Sequence, residues 1–426
     1  MSDLQARLEE LRGKGLFRRL RLIDGPQGAR VLLDGRPVML LCSNNYLGLA
    51  DHARVRGAAA EAAMRWGTGA GASRLISGNM TLHRHLEGKL AEFERTESAL
   101  LFGSGYLANT GVISALAGRG DVVYSDELNH ASIIDGCRLS RAETFVYRHG
   151  DAEHLAWGMR ERRGRRGLIV TDGVFSMDGD LAPLPALVRL ARDNGARLMV
   201  DEAHGTGALG PGGRGAAAEL GVAGDVDVIV GTLGKALGGY GAYACASHEV
   251  IDWLVNTSRP FIFSTAPPPP SVAAAAAALA LIDAHPERVG RLQRNARLLR
   301  DALAAEGLEV GPTQSQIVPV IVGDARLTME MCERVLERGV FAQGIRPPTV
   351  PEGSSRLRIT VMASHTKSEL RWAAGVLARA LRGGSDRSRD RAREREPSRA
   401  PVPPSPETAP VREPVGTVFD HLADAA

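Results

Sequence analysis

Long apolar runs are scarce in this 426-residue chain: the longest, Val272 to Ile282, spans 11 residues and follows four prolines. Such a run is too short to cross a bilayer and predicts a core helix that starts after the prolines. Cysteine is equally scarce. Cys42, Cys137, Cys245 and Cys332 are far apart, form no CxxC pair and do not sit beside a histidine at metal-ligand spacing. This is the pattern of scattered, reduced thiols in a cytoplasmic protein. An excess of one charge is missing too, since 52 Lys and Arg nearly cancel 49 Asp and Glu to leave +3. No global field therefore draws nucleic acid or an anionic membrane, and any basic site must be local. The first twenty residues lack an apolar h-region, and Asp3, Glu9 and Glu10 argue against an organelle presequence.

What is present is an alternation of two periodicities. Residues 1–49 predict an amphipathic helix and then a hairpin, "ARVLLDGRPVMLLC", turning at Asp34-Gly35. Over 50–280, helical segments such as "HRHLEGKLAEFER" and "LPALVRLARDNG" interleave with the runs "DVVYSD", "GLIVTDG", "RLMVDEAHG", "DVIVGTLGK" and "GAYACAS". That alternation predicts a large, mostly parallel α/β domain. Residues 281–382 read as a smaller α+β domain, with strands at "IVPVIVG" and "RLRITV". From 383 the composition shifts to Arg, Pro, Ser and Glu, and 383–426 reads as a disordered tail, its last ten residues offering at most a short docking helix.

In a parallel sheet, ligands bind at the carboxyl ends of the strands. The residues that follow the apolar runs are polar and ionisable: His130, Ser176, Asp201, His204, Thr232 and Lys235. "GTLGKA" is not a P-loop, because its glycine spacing is wrong and Ala236 stands where a hydroxyl would hold magnesium. "GTGAGA" at 67–72 fits the loose dinucleotide fingerprint but follows a helix-like segment rather than a strand. No metal site is expected, since His83 and His85 face apart on a helix and His204 has no second ligand at helical spacing. What remains is the set that a pyridoxal phosphate site requires. A buried carboxylate, Asp201, would keep the ring nitrogen protonated, and a lysine of lowered pKa, Lys235, would condense with the aldehyde. Taken singly, Asp201 reads as well as a helix N-cap and His130 as a satisfied structural histidine. Their shared position at one sheet edge is what favours the site.

The segments "SNNYLGLA", "SDELNHASIIDGCRLS", "TDGVFSMDGD", "DEAHGTGALGPGGRG", "GTLGKALGG" and "IRPPTVPEGSSRLRIT" resemble, in order, the motifs of the α-oxoamine synthases. The resemblance covers roughly residues 5–380. It implies the fold-type-I, aspartate-aminotransferase-like architecture of pyridoxal phosphate-dependent transferases, and a reaction that condenses an amino acid with an acyl thioester and loses carbon dioxide. "IRPPTVPEG" and "SRLISGN" resemble the biotin-pathway branch, which joins L-alanine to a pimeloyl thioester carried on coenzyme A or a carrier protein. "GTLGKALGG" and "NHASIIDG" are equally at home in a glycine-using member, and a branch that uses glycine or serine with another acyl thioester would share every catalytic residue and differ only in the pocket. Among related sphingolipid enzymes some subunits are catalytically silent, but the retained Lys235, Asp201 and His130 argue against that here.

Residue by residue, the resemblance implies that Lys235 bonds the cofactor aldehyde, Asp201 pairs with its ring nitrogen, His130 stacks on the ring, and His204 and Ser176 bond its polar edge. Gly105, Tyr106 and Thr232 would lie at the phosphate, where a helix N-terminus offers free N–H groups. Thr265 of a second subunit would complete that site at a homodimer interface. Arg358, with Asn44 beside it, would hold the amino-acid carboxylate, and Arg18 and Thr349 would contact the acyl substrate. Glu202, where the family often has a second aspartate, is expected to matter little to the cofactor. The basic run "RERRGRRG" at 160–167 reads as a solvated loop or as a landing place for an acidic carrier protein.

Overall fold

The computed structural model describes residues 3–382, so the disorder and the docking helix expected for 383–426 lie outside the described residues. Its centre is a seven-stranded sheet in the order Ser98–Phe102, Ala242–Ala246, Val228–Thr232, Arg197–Asp201, Gly167–Asp172, Val122–Asp126 and Glu143–Tyr147. The last five are mutually parallel, while Ala242–Ala246 runs antiparallel to both of its neighbours. The apolar runs that predicted the inner strands are buried along their length, as strands covered by helices on both faces must be.

The helices follow local chemistry. Leu184–Asn194 ends at Gly195 in the left-handed conformation, and Ser247 caps His248–Thr257 by accepting from Val250 N. The alanine-rich run forms the core helix Pro269–Ala284, led in by its prolines and buried at ten positions. No helix among the described residues is long and apolar enough to cross a membrane.

Two smaller sheets flank the centre. Arg30–Leu33 and Arg36–Leu40 form the expected hairpin, whose turn places Asp34 (φ 48°) and Gly35 (φ 77°) both in the left-handed region. The strand Arg36–Leu40 then pairs in parallel with Val340–Phe341, from the other end of the chain. Ser355–Thr360 lies between Ile317–Gly323 and Gln343–Ile345, antiparallel to both. The N-terminal helix Asp3–Gly13 buries no residue, and its Leu4, Leu8 and Leu11 stay exposed. In the basic run, Arg162 and Arg165 both pair with Glu143, and Arg166 with Asp121, so much of its charge is neutralised within the fold.

Candidate active site

Three parallel strands end in polar residues at one edge: Asp172, Asp201 and Thr232. Asp201 is buried. Its Oδ1 accepts from Ala203 N at 2.8 Å, and its Oδ2 accepts from Asn109 Nδ2 at 2.6 Å. The Asn109 amide also donates to Ser132 Oγ at 2.9 Å, and that hydroxyl lies 2.7 Å from His130 Nδ1. His130 caps the helix Ala131–Ser140. Its Nδ1 accepts from Ser132 N, which leaves the ring proton on Nε2, and its own N–H donates to Asp172 Oδ2 at 2.8 Å. Burial lowers the His130 pKa, with Lys235 adding to the effect and Asp201 opposing it.

A second chain of hydrogen bonds begins at Lys235. Its Nζ lies 2.8 Å from His204 Nε2, His204 Nδ1 lies 2.6 Å from the Tyr46 hydroxyl, and Tyr46 donates to Asn44 Oδ1 at 3.2 Å. Burial first, then the charges of Lys235 and Arg358, hold His204 well below the usual imidazole pKa. A neutral ring fixes the polarity of the chain. Lys235 donates to Nε2, Nδ1–H donates to Tyr46, and the phenol donates to Asn44. Burial lowers the Lys235 pKa to about 8, and Arg358 pushes the same way against Asp201 and Asp172.

The far end of that chain is Arg358. Both terminal nitrogens of its guanidinium lie 3.4 Å from Asn44 Oδ1, and its Nε donates to the Ser176 carbonyl. The backbone of the lysine loop explains how these parts meet. Gly238 has φ 64°, and a Cβ there would stand 2.4 Å from Ala50 N, so only glycine lets the loop lie against the segment that carries Asn44 and Tyr46. At the loop's base, Thr232 Oγ1 accepts from Gly234 N and donates to Gly241 O, each at 3.2 Å.

Gly105 and Tyr106 open the helix Gly105–Leu116, behind an N-cap Ser104 that accepts from Leu107 N. An added Cβ at Gly105 or Gly234 would meet little or nothing nearby, so both backbones border open space. The donor set fits pyridoxal phosphate. A buried carboxylate, a lysine of lowered pKa, a flat histidine and a helix N-terminus gather at one sheet edge, and beside the carboxylate the buried Asn109 Oδ1 has no hydrogen-bond partner.

Not every expected residue joins this cluster. Ser176 contributes its carbonyl, to Arg358. Tyr106 is exposed, and its hydroxyl donates to Asp135. Thr265 is exposed and bridges to Ser73. Arg18 and Thr349 line a cavity of about 800 Å³ together with Arg346 and Cys332. Glu202 serves the fold: its carboxylate accepts from Ala216 N at 2.8 Å and from Ala217 N at 2.7 Å. Sequence reading missed Tyr46, Asn109, Ser132 and Asp172. Tyr46, Ser132 and Asp172 lie within quoted motifs and Asn109 on the helix that Gly105 opens, but only the fold turns these common residue types into links.

The family described as "Aminotransferase class I and II" matches residues 36–377. The 8-amino-7-oxononanoate synthase of Geobacter sulfurreducens is 58% identical over 381 residues, which cover 88% of this chain and 97% of that protein. A solved serine palmitoyltransferase from S. paucimobilis, with bound PLP-myriocin, superimposes with a TM-score of 0.85 at 33% identity, over 89% of this chain and 96% of that one. The 8-amino-7-oxononanoate synthase of Francisella tularensis gives 0.70 at 27% identity, over 81% and 98%. With matches of this extent and a lysine–aspartate–histidine cluster at the sheet edge, the chain belongs to the class I and II aminotransferase family, in its α-oxoamine synthase group.

Proposed function

We propose that the protein uses pyridoxal phosphate to join the α-carbon of L-alanine to the carbonyl carbon of a pimeloyl thioester. The carrier thiol and carbon dioxide leave, and 8-amino-7-oxononanoate is the product, a step of biotin biosynthesis. The observation that carries this reading is the 58% identity to the Geobacter sulfurreducens enzyme over 88% of this chain and 97% of that one.

When bound, pyridoxal phosphate supplies an electron sink for the negative charge left at the amino acid's α-carbon by loss of a proton or of carbon dioxide. The protein's part is positioning and proton transfer. Lys235, with a pKa near 8, is the base that removes the α-proton and the acid that returns it. His204, held neutral, accepts a hydrogen bond at Nε2 without adding a second positive charge beside the lysine. Asp201 favours a protonated ring nitrogen, and Asn109 and Ala203 fix its orientation.

Arg358 binds the amino-acid carboxylate with two parallel N–H groups, which sets the plane of the substrate as a lysine could not. Asn44 and the Ser176 carbonyl hold that guanidinium in place. His130 covers the ring, Gly105, Tyr106 and Thr232 take the phosphate, and Arg18 and Thr349 meet the acyl chain in their cavity. Thr265 completes the phosphate site from the second copy of a homodimer. Ile76 and Phe263, 80% and 70% exposed close in sequence to the Ser73–Thr265 bridge, support such an interface.

The test is carrier-thiol release by the purified protein with pyridoxal phosphate. L-Alanine, glycine and L-serine would each be paired with pimeloyl- and acetyl-coenzyme A. Release confined to alanine with pimeloyl-coenzyme A is expected. Release with glycine or serine would move the enzyme to a sister branch, and silence with coenzyme A but turnover with a pimeloyl carrier protein would identify the carrier.

A further inference from the structure

Outside the cluster, one ionised side chain spans two of the loops that build the site. His149 follows the strand Glu143–Tyr147, and its ring is held at both nitrogens by carboxylates: Nδ1 by Asp126 Oδ1 at 3.0 Å and Nε2 by Asp180 Oδ2 at 2.8 Å. A neutral imidazole has one N–H and one lone pair, so only the imidazolium satisfies two ionised carboxylates at once. Burial works against the charge, but the two aspartates outweigh it and raise the His149 pKa to about 10.

The two carboxylates belong to different parts of the site. Asp126 ends its strand four residues before His130 and is locked there by Leu128 N and Gly150 N, each at 2.9 Å. Asp180 closes the loop that carries Ser176, where Phe175 N donates to the Asp180 carbonyl and the Phe175 ring stands edge-on to His149 at 4.4 Å. That loop holds both arginines of the strand Ser355–Thr360: the Ser176 carbonyl accepts from Arg358, and Asp178 accepts from Arg356. We propose that His149 is a positioning residue for the amino-acid substrate, whose imidazolium ties the His130 loop to the Ser176 loop and so sets where Arg358 meets the carboxylate. The inference rests on the reading that Arg358 binds that carboxylate.

The charges around the ring define the test. Besides Asp126 and Asp180, Glu127 accepts from the His149 backbone N–H, and Asp172 and the buried Tyr147 stand beyond Asp126. Arg148 is engaged with Asp151. Removing one carboxylate, as in Asp180→Asn, withdraws support from the cation and brings its deprotonation down toward neutrality.

The experiment measures the KM for L-alanine and for the acyl thioester with the holoenzyme between pH 6.5 and 9, for wild type, His149→Asn, Asp180→Asn and Arg358→Lys. His149→Asn is expected to raise the alanine KM roughly tenfold at every pH while the thioester KM changes little. For Asp180→Asn, the alanine KM relative to wild type should climb as pH rises through 7 to 9. A residue that only stabilises the fold would not produce that pH-dependent, substrate-selective change. A flat Asp180→Asn ratio, or a parallel rise of both KM values in His149→Asn, overturns the inference, and Asp180→Asn decides alone if the histidine variant does not fold. If Arg358→Lys leaves the alanine KM unchanged, it is the underlying reading of Arg358 that fails.

Discussion

Lys235 and His204 show how a residue's chemistry comes from what surrounds it. A lysine at its ordinary pKa is almost wholly protonated near neutrality, whereas at a pKa of about 8 roughly a tenth is free amine at pH 7. Because burial lowers this pKa, the reactive fraction grows as pH rises through 8. Covalent capture of pyridoxal phosphate by the cofactor-free protein should therefore quicken several-fold from pH 7 to 8.5 and level off above 9. Stopped-flow absorbance would check this, with Lys235→Ala showing no such phase.

The residue types at the sheet edge were legible in the sequence because strand ends are where ligands bind. The hydrogen bonds that orient them were not. Tyr46 reaches His204 across 158 positions, and Asn109 reaches Asp201 across 92. Tyrosine and asparagine carry no local pattern that announces such a partner.

At the scale of elements, the inner strands and the alanine-rich helix were readable because burial on every side demands continuous apolar runs. Two outer strands escaped notice. Only three residues separate Ser98–Phe102 from the helix before it, and Glu143–Tyr147 is an edge strand that buries only Tyr147 fully and whose apolar run is just Phe145-Val146-Tyr147. The glycines of "DEAHGTGALGPGGRG" were read as a motif, and the structure gives part of their physical cause. Glu202 is fully buried, and its carboxylate fills the space where side chains at Gly205 and Gly215 would stand. Gly215 also has φ 91°, and a Cβ there would sit 2.4 Å from the Glu202 carboxyl carbon. Gly215→Ala should cost about 2 kcal/mol or more of stability. Denaturant unfolding checks it, and an unchanged midpoint would show that the Glu202 contact relaxes freely.

At the scale of the whole molecule, the exposed apolar side chains are the main unfinished feature of a single copy. Ile76 and Phe263 lie open on segments close to the Ser73–Thr265 bridge. If two copies close over them, Ile76→Asp combined with Phe263→Asp should yield a monomer by sedimentation that has lost most of its turnover and binds cofactor more weakly. A dimer of undiminished activity would place the interface elsewhere.

The parallel pairing of Arg36–Leu40 with Val340–Phe341 also bears on how the molecule is made. The two strands lie about 300 residues apart, so at some 5–20 residues per second the first waits about 15–60 s on the ribosome for its neighbour. During that interval Val38, Met39 and Leu40, all buried in the finished protein, have no lasting cover, and Asn44 has no Arg358 to hold. The proposed amino-acid pocket is thus completed only late in synthesis, and the nascent amino terminus is where a holding chaperone has most to do.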